Sequence, residues 1–565
     1  MLKNESKFTL TVILIASFFE LSSCIQNEND KCINFEIKSP KSDWTYYSTE
    51  PIIFASSLDN DSLEWESSLD GKLGSGPQIS VCLSSGEHLI TLSLPEQEIS
   101  KCVKVIVIQG QNENVFYVTY VPCKKTVKKE ACTTGIINTG EKITEFNFSF
   151  LTDSVNKFLS CESEFLIDPS IWCDNINYAK LKPYNEISLN RSIIEPILGN
   201  RKLFYIADTT GSSLSASSVN AVLYYSSDNI CAWVPEDLTE DEYSYIDICL
   251  ENLETIALPR TKTLWGSCAD INGDKKIAIL FSHTINEEGI ALGFFNSADF
   301  FTRNVDKSSS HYNPFSNECD IIYAAIPESL DEGTFSASAI TATLIHEITH
   351  AINFTNKTYN KLLLGKSELV EEIFLNEGLS HLSESLCGYG VSGGNNRFVN
   401  YYLNNMAYFS FAGNDYLGRT DSAGCRGATC LFLYWLFLKA GGMSYDESNP
   451  LYFIDKGGIS FLQSVVASES TGWNSIGEYF KKDTDFLFKE FCVELFNKGT
   501  VGVFSENLMD PVTGEFVFPC NEPELYSSTK EYSILSKSAI FFTDIPSSDI
   551  TMNANKFTPF YFLYK

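Results

Sequence analysis

Histidine is scarce in this chain, with six in 565 residues. Any close grouping of imidazoles therefore carries information. No pair of cysteines stands at CxxC spacing, which removes the usual thiolate zinc patterns. No apolar run approaches the roughly 20 residues that a bilayer-spanning helix needs. Basic residues are outnumbered, 41 Lys plus Arg against 72 Asp plus Glu, for a net charge of −31. Such a chain repels nucleic acid and anionic lipid headgroups, so no nucleic-acid partner is expected. No acidic block is long enough to form a tail, so the charge belongs to a solvated surface. No module occurs twice.

Among what is present, 44% hydrophobic and 13% aromatic residues are ample for sizeable cores. The length suggests two to four domains. Lys3 and Lys7 precede an apolar run from Phe8 to Phe19, the layout of a secretory signal. Leu21-Ser22-Ser23-Cys24 resembles the bacterial lipobox. The expectation is a lipoprotein signal peptide over 1–23, a lipidated Cys24 as the first mature residue, and a polar tether over 24–31. The protein would then be held at a bacterial cell envelope through lipid, on its periplasmic face or at the cell surface, and otherwise be monomeric. Of 17 cysteines, those other than Cys24 form an even set from Cys32 to Cys520. In an exported chain that predicts disulfides; Cys425–Cys430 and Cys123–Cys132 could close small loops, but connectivity is not legible in the sequence.

Residues 32–110 alternate in short β-rich runs such as "PIIFASS" and "HLITLSL", separated by turn clusters, which predicts a β-sandwich. "LEWESSLDGKLGSG" and "GEHLITL" resemble bacterial immunoglobulin-like modules, with Trp65, Gly71, Gly74, Gly76, Gly86 and His88 on the pattern; His88 is then a strand residue. Residues 111–140 contain the locally basic "PCKKTVKKEAC" and read as a linker. Residues 141–199 have weak periodicity and read as a lead-in subdomain or part of a propeptide. From 200 to 505 the pattern is α+β, and 506–565 returns to short β-like runs, a C-terminal β extension. "DINGD" at Asp270–Asp274 has some calcium-loop flavour, but Gly falls at the fourth position rather than the sixth, so a turn is expected. "DIIYAAI" at Asp320–Ile326 is a strand, taken as an edge on which an extended peptide could add.

The segment "TATLIHEITHAINF" holds the chemistry. On a helix, positions i and i+4 share a face, so His346 and His350 can hold one metal ion, while Ile340, Leu344, Ile345, Ile348, Ala351 and Ile352 bury the helix. A hydrolytic zinc takes three protein ligands and leaves a position for water. Downstream acids are Glu368, Glu371, Glu372, Glu377 and Glu384. Within "LNEGLSHLSE", Asn-Glu-Gly-Leu-Ser resembles the second signature of gluzincin metallopeptidases, with Gly378 expected to let that helix approach the metal helix closely.

The order "CAWVPEDL…DINGDKKIAILFS…ALGFFNSADFF…SNECDIIYA…LIHEITHAINF…FLNEGLSHLSE" resembles the hyicolysin family of bacterial neutral zinc metallopeptidases over roughly 200–500. The resemblance implies a thermolysin-like zincin domain. It also implies Zn2+ held by His346, His350 and Glu377, with Glu347 as catalytic base on protein or peptide substrates. Thermolysin-type sites carry an Asp four residues after the ligand Glu; here that place is His381, read as orienting group, oxyanion donor or, foremost, surface residue. Tyr401, Tyr402 and Tyr408 are further candidate oxyanion donors. His283 and His311 are not expected to be ligands. Two alternatives stand beside the endopeptidase: an inert, adhesin-like binding lipoprotein using the β-sandwich module, and a zinc hydrolase of another bond class.

Overall fold

The alternating runs of the N-terminal region become two facing sheets. The computed structural model describes residues 35–48, 51–109, 115–118, 123–126, 133–138, 144–147, 181, 183, 197–208, 215–289, 291–331, 333–411, 415–504, 509–515, 522–523, 525–527, 532–534, 537–543, 549–553 and 560–564. The expected signal segment, Cys24 and the tether lie outside these residues, as does most of 141–199.

In the N-terminal unit, one sheet has the strand order Ile37–Ser39, Ile52–Ser56, Gln78–Val81. The other runs Trp44–Tyr47, Ile99–Ile108, Gly86–Leu94, Glu64–Ser67, Gly71–Ser75. Every second residue of Ile52–Ser56 and most alternate residues of Gly86–Leu94 are buried, the period-2 signature of a half-buried strand. Their apolar sides meet around Trp65, whose ring lies edge-on to Phe54 and whose Nε1–H donates to the Gly76 carbonyl at 3.0 Å. His88 is fully buried. Its Nδ1 lies 2.7 Å from the Ser67 hydroxyl and its Nε2 2.7 Å from the Ser84 carbonyl, so it is a satisfied core histidine.

This unit is seated against the chain's later helices. The Thr45 N–H donates to the Lys481 carbonyl at 2.8 Å. Phe486 inserts into the sandwich core beside Tyr46 and Tyr47.

The α+β part is built on a six-stranded sheet: β1 (Arg201–Ala207), β2 (Ala216–Ser226), β3 (Ile230–Val234), β4 (Ile277–Phe281), β5 (Gly293–Phe295) and β6 (Ile321–Ala324). Its spatial order is β1-β2-β3-β4-β6-β5. Strands β3, β4 and β6 are mutually parallel, while β5 runs antiparallel to β6. β6 is therefore interior and β5 is the edge, which corrects the expectation that "DIIYAAI" forms the edge. The physical reason is legible in its burial: every residue of β6 is buried, as in a strand covered on both faces and flanked on both sides.

Helix α1 (Ala337–Phe354) packs on β5 and β6. The Ser336 hydroxyl starts it by accepting from the Ala339 N–H, an N-cap. Beyond it come α2 (Ile373–Cys387), α3 (Asn395–Leu403) and α4 (Ala423–Lys439). Gly378 on α2 is set against α4: a Cβ there would stand 2.3 Å from a Thr429 methyl and 2.7 Å from Leu433. Its small size thus serves the α2–α4 contact rather than the α1 contact expected from the sequence. Among the described residues, no helix is long and apolar enough to cross a membrane.

The stretch 111–140 is not a simple linker. Val115–Val118 and Thr133–Asn138 join Leu525–Ser527, Ser538–Thr543 and Phe560–Tyr564 in a five-stranded sheet; Cys123–Thr126 and Thr144–Asn147 join Tyr532–Ile534 and Asp549–Asn553 in a four-stranded one. Their partners lie hundreds of residues away, so local composition gave no sign of them. The expected C-terminal extension is the other half of these sheets.

Nearer the helices, Asp510 and Arg260 form an ion pair of 2.7 Å with both side chains fully buried. Arg260 also donates to the Cys387 and Pro450 carbonyls. Asp510→Ala would leave the guanidinium buried with neutral acceptors only. Breaking such a pair costs about 3–5 kcal/mol, so urea unfolding of the α+β part is expected to shift by that amount; an unchanged midpoint would show the pair to be dispensable.

The described cysteines do not bear out the disulfide expectation. Cys82, Cys102, Cys231, Cys249, Cys268, Cys319, Cys387 and Cys492 are thiols. Cys425 and Cys430 both lie on α4, five residues and so about 140° apart around the axis, which no short closure spans. Cys123–Cys132 lies outside what can be described at side-chain level.

Candidate metal centre

Helical periodicity and buried surroundings build the site. His346, Glu347 and His350 on α1 and Glu377 on α2 are all at most 5% exposed. The two histidine rings lie 4.7 Å apart. His346 Nε2 is 3.5 Å from one Glu377 carboxylate oxygen, and His350 Nε2 is 3.5 Å from the other. These separations exceed a good charge-assisted hydrogen bond. They match the edge of a tetrahedron whose corners lie roughly 2.1 Å from a central ion. Two imidazole nitrogens and a carboxylate are also the donor set that hydrolytic zinc takes. The residues present fit a zinc ion, and they form one of two His/Glu groups among the described residues close enough to hold a metal.

The other group, His346, His381 and Glu384, reads differently. Glu384 Oε1 lies 2.6 Å from His346 Nδ1 and 3.0 Å from His381 Nδ1. One carboxylate oxygen thus orients two imidazoles, a carboxylate–histidine arrangement that fixes the Nδ1–H tautomer of His346 and points its Nε2 at Glu377. His350 is oriented in parallel by the Ser380 hydroxyl, 3.2 Å from its Nδ1. Glu384 was only a rival ligand by sequence. Its spacing from Glu377 is seven residues, two helical turns along one face, and that was the available signal. Although burial opposes its charge, His381 and His346 hold its carboxyl below the usual range.

His381 is not a surface residue. It is 3% exposed and its ring packs against His346. Burial lowers its pKa below the ordinary value despite the neighbouring Glu384. Its Nε2 has no hydrogen-bond partner, and the residue lines a cavity of about 180 Å³ together with His346, Glu347 and Glu384. None of Tyr401, Tyr402 and Tyr408 lines that cavity. Tyr402 is fully buried in the core beside Phe411, Tyr401 packs on Phe409 and Tyr408 on Tyr416. His283 sits near Glu242 and His311 in an exposed turn, neither in a metal-capable group among the described residues. The carboxylates of the "DINGD" turn cap its own backbone, Asp270 accepting from Gly273 and Asp274 from Lys276.

The cavity is lined by the start of the edge strand, Gly293, and by Ala291 and Leu292 just before it. The Phe295 N–H turns away from β6 and donates to the Glu347 carboxylate at 2.9 Å. Ser392, Gly393, Arg397, Phe398 and Arg426 line the cavity too. Arg426 makes a bidentate pair with Asp421, both bonds 2.6 Å, and stands 3.5 Å from Glu377.

Glu384→Gln keeps one acceptor oxygen while removing the charge that serves both imidazoles. We expect zinc affinity to fall about 10- to 100-fold, the usual effect of losing such a partner. Competition with a chromophoric chelator reads this directly; unchanged affinity would deny Glu384 the orienting role.

No family model matches the chain, and no curated protein matches it. Among solved structures, the chain is similar to the fibronectin(III)-like modules of Clostridium thermocellum CbhA, at 11% identity and a TM-score of 0.12, over 13% of this chain and 94% of that one. A likeness at that level carries no argument.

Proposed function

We propose that this chain is a zinc-dependent endopeptidase with a gluzincin-type, thermolysin-like domain similar to the hyicolysin family. It would act on extracellular or envelope proteins while tethered to a bacterial membrane through lipidated Cys24. The observation that carries the reading is the placement of the His346 and His350 Nε2 atoms 3.5 Å from the two oxygens of Glu377, with Glu347 on the same helix facing the same cavity.

His346, His350 and Glu377 would hold the ion. When bound, zinc supplies Lewis acidity, acidifying water and polarising the scissile carbonyl. The chain's own groups do the rest. An extended peptide is laid along the edge strand β5 by main-chain hydrogen bonding. Glu347, steadied by the Phe295 N–H, takes the proton from the attacking water and passes it to the departing amine. His381, held by Glu384, packs its ring on His346 and so helps fix that ligand's orientation.

The test is metal analysis of the purified protein together with a casein or gelatin assay, with and without a chelator. About one zinc per chain and chelator-sensitive cleavage are expected. A zinc-free protein, or cleavage indifferent to chelation, would remove the peptidase reading. Zinc without proteolysis would favour the binding lipoprotein or a hydrolase of another bond class.

A further inference from the structure

The cleft has two guanidinium groups in its wall, and they are not equivalent. Arg426 is nearly buried and its charge is spent on Asp421, with Glu377 beyond. Arg397, near the start of α3, is exposed. Among the described residues no carboxylate pairs with it, and its side chain lies over the Gly394 backbone. The remaining acids lining the cavity, Glu347 and Glu384, have tasks already: one accepts from Phe295 and the other from two imidazoles.

On a chain of net charge −31, an unpaired cation at a cleft wall is a local reversal of the field. The loop before it is braced from beneath. The Glu515 carboxylate accepts from the Val391 N–H at 3.0 Å, and Gly393 packs so tightly on Glu384 that a Cβ would stand 2.0 Å from its oxygen. The base of the arginine's helix is thus fixed relative to the metal ligands. Arg397 and the start of β5 line the same cavity.

We propose that Arg397 receives a carboxylate of the substrate close to the scissile bond and so sets a preference for acidic peptides. This rests on the peptidase reading. Guanidinium suits the task because its planar fork matches a carboxylate bidentately. The carboxylate has two sources, an Asp or Glu side chain or the free C-terminus of a short peptide.

The experiment measures kcat/KM of the zinc-loaded protein on matched fluorogenic peptides that carry Glu, Gln or Lys at each position flanking the cut, each made with a free and an amidated C-terminus. A Glu-over-Gln preference of roughly fivefold at one position is expected, the scale of a single solvent-accessible ion pair. It should shrink towards unity in Arg397→Gln and turn into a Lys preference in Arg397→Glu. If the preference follows the free terminus instead, the carboxylate is terminal and the same variants should erase that difference. Cleavage indifferent to both, or equal preferences in parent and variants, overturns the assignment of Arg397 while leaving the peptidase reading intact. No cleavage of any peptide overturns both.

Discussion

Glu347→Gln is expected to keep its zinc and to lose about 10²- to 10⁴-fold in kcat, the range for removal of a general base. The change is isosteric, and the amide oxygen can still accept the Phe295 N–H that the carboxylate accepts at 2.9 Å, so the wall of the cleft should not shift. His346, His350 and Glu377 are untouched. What disappears is the ability to take a proton. Elemental analysis beside steady-state kinetics separates the two effects: full zinc content with near-parent turnover would assign the base elsewhere.

Glu377→Ala should act on the metal itself. It leaves two imidazoles and removes both oxygens that face their Nε2 atoms. Arg426, 3.5 Å away, then faces the vacated space, an electrostatic environment hostile to a cation. Zinc affinity is expected to fall by more than the roughly 100-fold upper range for loss of an orienting partner, and cleavage to vanish. Glu372→Ala is the control, since Glu372 is exposed just ahead of α2. Equal zinc retention and continued cleavage in Glu377→Ala would sink the assignment of this ligand. A loss no deeper than that of Glu384→Gln would make Glu377 a supporting group rather than a ligand.

The parts of the site that sequence made visible are those that depend on one helix's repeat. His346 and His350 share a face because 3.6 residues make a turn, and that holds before any folding is known. Glu377 was visible only through a motif resemblance, since its distance from α1 is a matter of packing between helices. Glu384 was discounted because depth along a helix was judged without knowing that α1 crosses α2 there. His381, for which a surface place is the foremost of three readings by sequence, is buried because the neighbouring helices close over that face. Tyr401, Tyr402 and Tyr408 show the reverse: a hydroxyl count suggests donors, but none of the three lines the cavity. The N-terminal sandwich was legible because its alternation is local. The edge identity of Gly293–Phe295 and the long-range strands of 115–147 were not, because sheet order is a relation between distant segments.

Those distant relations bear on how the molecule is made. Thr133–Asn138 is flanked on one side by Ser538–Thr543 and on the other by Phe560–Tyr564, Ile136 meeting both Ile540 and Phe562. During synthesis the first of these strands emerges with nothing to pair with. The ribosome must finish the whole helical part before either neighbour exists. At a translation rate of roughly 5–20 residues per second, the wait is on the order of half a minute. For that interval the early strands carry open N–H and C=O edges, templates for pairing with another nascent chain. The sandwich core needs Phe486 from the helical part, and this two-sheet unit needs strands later still, so it is the last to close. A ribosome that stalls before residue 525 would release a molecule in which His346, His350 and Glu377 are all present but the early strands lack their partners, open edges that favour aggregation.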